Sequence, residues 1–148
     1  MTMAAGFVAV QLGACGGSRP GDLGVRDGRF KPCPESPNCV SSFEAESDTE
    51  HYIDPIAARG GVPALQELSA IISRMPRTEI VRSTDDYLYV EFTSFFWRFI
   101  DDVEFAQLED GGPVHVRSAS RKGKGDLGVN RERIDELRRR YRRGQDKR

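Results

Sequence analysis

The chain has 148 residues, of which 38% are hydrophobic and 30% charged, with three cysteines. That length suits one ordinary domain, and that balance excludes an intrinsically disordered chain. The net charge of −1 hides an asymmetry: residues 117–148 hold thirteen Lys/Arg against five Asp/Glu, and the remainder nine against eighteen. The basic end suits phosphate groups of lipid or nucleic acid, or simply a solvated helix face that balances the acidic half.

Residues 1–14 carry no charge and include the apolar run Phe7-Val8-Ala9-Val10, followed by Leu12-Gly13-Ala14-Cys15. Small residues before a cysteine look like the end of a bacterial lipoprotein signal, whose cysteine is acylated and becomes the first mature residue. The basic start usual in secretory signals is missing, and the plain alternative is an ordinary N-terminus with a stray cysteine. The lipoprotein reading predicts a signal over 1–14, lipidation at Cys15, a flexible tether over 15–22, one domain over 23–143 and a disordered basic tail over 144–148. It places the domain on the periplasmic side of the bacterial cell envelope, with the membrane as partner through the anchor and nucleic acid excluded as a partner. Acyl chains contribute about 0.8 kcal/mol per buried methylene, so several together hold firmly. No later segment approaches the ~20 apolar residues that span a bilayer.

Residues 29–42 read as a proline-stiffened loop containing Cys33-Pro34-Glu35-Ser36-Pro37-Asn38-Cys39. The spacing fits neither a zinc ribbon nor a thioredoxin-like redox pair. His51 and His115 sit at no ligand spacing that would complete a metal site with them, so no metal and no cofactor is expected. Outside the cytoplasm so close a pair reads as a disulfide, worth about 2.4 kcal/mol from loop closure.

Pro63 suits a first helical position, and Leu65, Leu68, Ile72 and Met75 recur at helical spacing up to Pro76. Strands are predicted over roughly 78–83, 86–95, 98–108 and 113–121, and a last helix over 130–143 with Ile134, Leu137 and Tyr141 as its stripe. This pattern predicts an α+β fold, a single domain with an antiparallel sheet of about four strands and two main helices on one face. Phe95-Phe96-Trp97 cannot all face one side of a strand. Either they pack in the core around a bulge, or a turn exposes them to a lipid interface or a partner.

Asp110-Gly111 is a preferred two-residue hairpin turn, which sets Glu104 opposite Arg117 and Phe105 opposite Val116. Alternation then places Val103, Phe105, Val114 and Val116 on the covered face with Asp101, Ser118 and Ser120. Asp102, Glu104, His115, Arg117 and Arg121 fall on the open face. On the preceding strand Leu88, Val90 and Phe92 point inward, and Tyr87, Tyr89 and Glu91 outward. The open face is either a binding surface with acid/base potential in Asp102, Glu104 and His115, or a solvated face stitched by ion pairs. Asp101, turned toward the core, needs hydroxyl or amide donors and suits ordering of the loop after residue 121.

Gly123-Lys124-Gly125-Asp126-Leu127-Gly128 matches a dinucleotide fingerprint, but no βαβ unit follows it. The residual readings are an anion site at a helix N-terminus, with Arg121, Lys122 and Lys124, or a glycine turn capped by Asp126 or Asn130.

Leu23-Gly24-Val25, Asp27-Gly28-Arg29-Phe30, Cys33-Pro34 and Ser36-Pro37-Asn38-Cys39-Val40-Ser41-Ser42 resemble the opening of the domain of unknown function 1499 family. Phe99 to Phe105, His115 to Arg121 and Gly125 to Arg131 resemble later motifs of the same family. The resemblance spans residue 23 to about 141. It implies a small secreted protein or lipoprotein, and it implies no activity and no catalytic residue.

Two functions follow as expectations. The first is an envelope lipoprotein acting as a non-catalytic binding or assembly module, for an unknown protein or a small anionic ligand. The second is an enzyme of hydrolase type, or an anion-binding protein, built on the acidic/His/Arg cluster and the glycine loop. Candidate binding residues are Asp101, Asp102, Glu104, His115, Arg117, Ser118, Ser120, Arg121, Gly125, Asp126, Asn130 and Arg131. No nucleophile–base pairing is recognisable, so no residue is designated catalytic.

Overall fold

In a computed structural model, residues 17–58 and 63–145 are described, the side chain of Gln145 excepted. Residues 1–14, expected to be a signal, and Cys15 lie outside the described residues. The elements in chain order are β1 (Cys39–Ser41), α1 (Ala64–Ile72), β2 (Thr78–Ser83), β3 (Tyr87–Thr93), β4 (Ile100–Gln107), β5 (Val114–Ser120) and α2 (Val129–Gln145).

The strands form one antiparallel sheet in the order β1-β5-β4-β3-β2. The fold is α+β, as expected, but the sheet has five strands rather than about four. The additional strand, β1, lies inside the proline-rich segment read as a loop. Its three residues carry no alternation of their own, and pairing with Arg117 to Ala119 of β5 makes them a strand.

The β4–β5 register is the predicted one, with Glu104 opposite Arg117 and Phe105 opposite Val116. The Gly112 amide donates to the Glu109 carbonyl at 3.0 Å, and Gly111, at φ 71°, supplies the left-handed residue that this turn needs. On edge strand β2 a bulge between Ile80 and Arg82 turns Arg82 to the face of Tyr89, with its guanidinium 5.5 Å from the Tyr87 ring centroid.

Both helices cover one face of the sheet. Leu65, Leu68 and Ile72 of α1 and Ile134, Leu137 and Tyr141 of α2 are buried against Leu88, Val90, Phe92, Val103, Phe105, Val114 and Val116. Pro63 is the N-cap of α1 rather than its first helical residue, and its carbonyl accepts from the amides of Gln66 and Glu67. α1 stops at Ile72, where Pro76 has no amide to continue the ladder to the Ile72 carbonyl; that carbonyl accepts instead from the Met75 amide at 2.9 Å and the Thr78 hydroxyl at 3.1 Å. α2 runs to Gln145, two residues into the segment expected as a tail. Three of its basic residues pair along their own turns, Arg138 with Asp135 and Arg139 and Arg140 with Glu136. Among the described residues, no helix is long and apolar enough to cross a membrane.

The second face of the sheet is covered too, which corrects the expectation of an open, solvated face. Phe30, Tyr87, Tyr89 and Ala106 form a second buried cluster with Leu23, Phe43 and Val81 packed against it. The segment from Arg19 to Pro34 lies across this face, so its polar residues are shielded by chain distant in sequence. Arg19 and Asp22, counted in the tether, already make contacts, Arg19 with Glu91 and Asp22 with Lys31.

The strap-covered polar face

The covered outer face carries two electrostatic nodes. In the first, alternation on β3 and β4 brings Tyr89, Glu91 and Asp102 together, and Arg121 reaches them from just beyond β5. The Arg121 Nε donates to both Asp102 oxygens at 3.1 and 2.9 Å, and its Nη2 donates to Asp102 Oδ1 at 2.7 Å, to the Tyr89 hydroxyl at 3.0 Å and to Glu91. The single Tyr89 proton lies between Asp102 Oδ1 at 2.5 Å and Glu91 Oε1 at 3.0 Å. Arg19 closes the node from the strap, its Nε donating to Glu91 Oε1 at 2.6 Å. Burial raises the Glu91 carboxyl, but its hydrogen bonds from Arg19 and Arg121 outweigh that and hold it below the ordinary value.

The second node is Glu104 with Arg117, both buried. Glu104 Oε1 accepts from the Gly24 amide at 2.6 Å and from the Tyr87 hydroxyl at 2.8 Å. Its Oε2 accepts no hydrogen bond and faces Arg117 Nη1 at 3.6 Å. The Arg117 Nε donates to the Lys31 carbonyl at 3.1 Å. Burial pushes the Glu104 carboxyl up and the Arg117 guanidinium down, each partly offset by the other's charge. Desolvation and the adjoining carboxylates push both tyrosines well above the ordinary phenol value, so they act as hydrogen-bond donors.

Between the strap and the sheet lies a cleft of about 320 Å³, lined by Leu23, Lys31, Cys33, Asp102, Arg117 and Arg121 among others. Cys33 and Cys39 form a disulfide, as expected, which ties the strap to β1.

His115 stands apart from this cleft. It is four residues along β5 from the partner of Asp102, roughly 13 Å at strand rise. Its ring stacks on Phe43 with centroids 4.2 Å apart, its Nδ1 lies 3.2 Å from the Ser42 hydroxyl, and burial lowers its pKa.

Ser120 also borders the cleft, whereas Asp101, Ser118, Gly125, Asp126, Asn130 and Arg131 lie away from it. Asp101 faces the helices and pairs with Arg133, whose Nη1 also donates to Ser118 Oγ at 3.0 Å and Asn130 Oδ1 at 2.7 Å. Asp101 is therefore held by α2 and not by the loop after residue 121. The buried Asn130 amide nitrogen lies 3.1 Å from the Asn38 carbonyl, 3.0 Å from Ser120 Oγ and 2.6 Å from Asp126 Oδ2. Asp126 caps α2, accepting from the amides of Gly128 and Asn130 at 2.8 and 2.9 Å. The place an external anion would take at this helix N-terminus is thus filled by the chain's own carboxylate. Arg131 donates to the carbonyls of Thr49, Glu50 and Tyr52, and Gly125 is exposed. These residues latch α2 onto the sheet.

The twelve candidate residues therefore do not form one site. Asp102, Arg117, Ser120 and Arg121 line the cleft, with Glu104 paired to Arg117, while Asp101, Ser118, Asp126 and Asn130 form the latch, which Ser120 joins through its hydroxyl. Sequence reasoning missed Arg19, Gly24, Asn38 and Arg133 as members of these clusters. Arg133 had a faint signal, since it follows Asn130 by three residues on one helix face. Among the described residues no group of three His, Cys, Asp or Glu is placed to hold a metal ion.

The family described as Protein of unknown function (DUF1499) matches residues 29–140 of this chain. The chain belongs to the DUF1499 family. No curated protein and no solved structure matches it. The DUF1499 span takes in the disulfide loop, all five strands and most of α2, including both acidic partners Asp101 and Asp102. It begins at Arg29, so the Arg19 and Gly24 contacts that close the outer face lie ahead of the DUF1499 match.

Proposed function

We propose that this chain is an envelope lipoprotein anchored through Cys15, whose DUF1499 domain is a non-catalytic binding module that takes an anionic group in the strap cleft. The observation that carries the reading is the saturation of the outer face. Asp102 and Glu91 are held by Arg121 and Arg19, and Glu104 by Gly24, Tyr87 and Arg117, with the only nearby histidine on another part of the sheet. A hydrolase built on these residues would need Asp101, Asp102, Glu104 and His115 together, whereas Asp101 pairs with Arg133 under the helices and His115 stands four residues along β5 from the partner of Asp102. Recognition needs no proton transfer, and Lys31, Arg117 and Arg121 bring three basic side chains to the cleft wall, where an anion would share them with their partners Asp22, Glu104, Asp102 and Glu91.

Intact mass of protein recovered from native membranes tests the anchor. The expected species is acylated, begins at Cys15, and has Cys33 and Cys39 blocked until reduction. An unprocessed chain would overturn the anchor. Thermal melting with inorganic phosphate or acetate tests the cleft: a binding anion raises the midpoint in proportion to occupancy, and the Lys31→Gln variant loses that rise. No rise with either anion would overturn the anionic reading of the cleft.

A further inference from the structure

The aromatic run that the binding reading leaves unused does not pack in the core. Phe95, Phe96 and Trp97 are 67%, 83% and 75% exposed, and Phe99 is 40% exposed, in the turn between β3 and β4. The turn is closed at its base, where the Ser94 amide donates to the Phe99 carbonyl at 2.8 Å and the Phe99 amide to Ser94 Oγ at 2.9 Å. Arg98, at φ 54°, completes the reversal. Phe95 and Phe96 meet edge to face at 4.9 Å, and the Arg77 guanidinium sits 5.2 Å from the Phe95 centroid. Three large aromatics are thus presented together to the outside by a hydrogen-bonded support. Contiguous exposed apolar surface of this kind marks a contact.

Two further observations say what covers it. The first is charge. Arg74, Arg77 and Arg98 are exposed around this end of the sheet, while the turns at its opposite end carry Asp85, Asp86, Glu109 and Asp110. The second is the path of the chain. Gly24 contacts Glu104 and Arg19 contacts Glu91, so traced backward the strap runs toward the aromatic turn. Gly17 then lies beside Lys122, in the loop that leaves β5 from that same end. Gly17, the first described residue, therefore sits at the end of the sheet that carries the aromatics, two positions after Cys15 in the sequence.

We propose that the turn from Phe95 to Phe99 is a membrane-contact tip: Phe95, Phe96 and Trp97 enter the interfacial layer of a bilayer, and Arg74, Arg77 and Arg98 meet anionic lipid headgroups. Aromatic rings suit the boundary between headgroup and acyl chain, and basic neighbours strengthen binding to anionic lipid. The orientation argument rests on the anchor reading, whereas the exposed aromatics and their charge do not.

Trp97 is the chain's one tryptophan, so its fluorescence reports on the tip without a label. The full chain carrying Cys15→Ser is mixed with vesicles of phosphatidylglycerol and phosphatidylethanolamine, and separately with phosphatidylcholine alone. The expected result is a blue shift of Trp97 emission and quenching by lipids brominated high on the acyl chain, stronger on the anionic vesicles. Phe96→Ser lowers the partition about tenfold, and Arg98→Gln lowers the anionic preference without removing an aromatic. Trp97 emission unchanged by either vesicle overturns the proposal, as does shielding of Trp97 by a protein in native membranes when lipid alone leaves it exposed.

The natively processed chain on the anionic vesicles separates this proposal from the anchor. Acyl chains at Cys15 with an unquenched Trp97 overturn the tip and keep the anchor. A quenched Trp97 on a chain without acyl groups keeps the tip and overturns the anchor.

Discussion

Asp101 and Asp102 are adjacent in the chain and lie on opposite faces of the sheet, Asp101 paired with Arg133 under the helices and Asp102 with Arg121 under the strap. A strand's alternation places one acidic pair into two ion networks, and each ties a different element to the sheet.

The Asp102–Arg121 contact is a buried pair whose side chains are 3% and 5% exposed. Asp102→Asn leaves the Arg121 charge with fewer partners and should destabilise the fold by about 3 kcal/mol. Arg121→Met in the same chain should recover at least about 1 kcal/mol of that loss. Urea denaturation of the four chains of this cycle measures the coupling, and additive losses would show that the two residues act independently.

Glu104 and Arg117 should behave differently, because Glu104 Oε2 accepts no hydrogen bond. Either Glu104→Gln or Arg117→Met alone should cost about 3 kcal/mol by stranding a buried charge. The double variant should be within about 1 kcal/mol of the parent, since desolvation already offsets most of the attraction. A double variant as unstable as the worse single would contradict this.

The two histidines give opposite pH dependences. His51 loses pKa through burial, but hydrogen bonds from its ring to Asp48 and the Ser36 carbonyl raise it overall. Its stabilising contribution is full below the unfolded histidine value and is lost as pH rises through the folded value. Burial lowers His115, so its contribution is present above the unfolded value and is lost as pH falls through the folded value. Compared with the parent, His51→Gln should therefore lose more stability at about pH 5 than at about pH 8, and His115→Gln should lose less. Denaturation midpoints at the two pH values decide this.

Asn130 is fully buried, and its amide joins Asn38, Ser118, Ser120 and Asp126. Asn130→Ala should cost about 2 kcal/mol, by leaving these partners unsatisfied. Cys33→Ser with Cys39→Ser should cost a similar amount, about 2 kcal/mol. Amide hydrogen exchange should quicken in the first turn of α2 for both variants, because Asn38 lies inside the disulfide loop. Exchange that quickens only near the cysteines would separate the disulfide from the latch.

Much of the sheet is legible in the sequence. Asp110-Gly111 determines the β4–β5 register by local turn geometry, and alternation then assigns Val103 and Phe105 to one face and Asp102 and Glu104 to the other. The helical stripe of Ile134, Leu137 and Tyr141 and the pairing of Cys33 with Cys39 are equally local signals. β1 was not legible, because three residues have no period and become a strand only against β5. The split of Phe95, Phe96 and Trp97 from the core was left open by their spacing alone, and the hydrogen bonds between Ser94 and Phe99 resolve it.

The sequence by itself determined which side chains share a face, since the two-residue period and the hairpin turn act over a few bonds. Only the tertiary structure decided what each face meets. The strap residues Arg19 and Gly24 have no periodic pattern, and they reach partners 72 and 80 positions away, turning an apparently solvated row of acids, tyrosines and arginines into a buried one. Burial depends on chain that folds back from a distance, and no local period encodes that return.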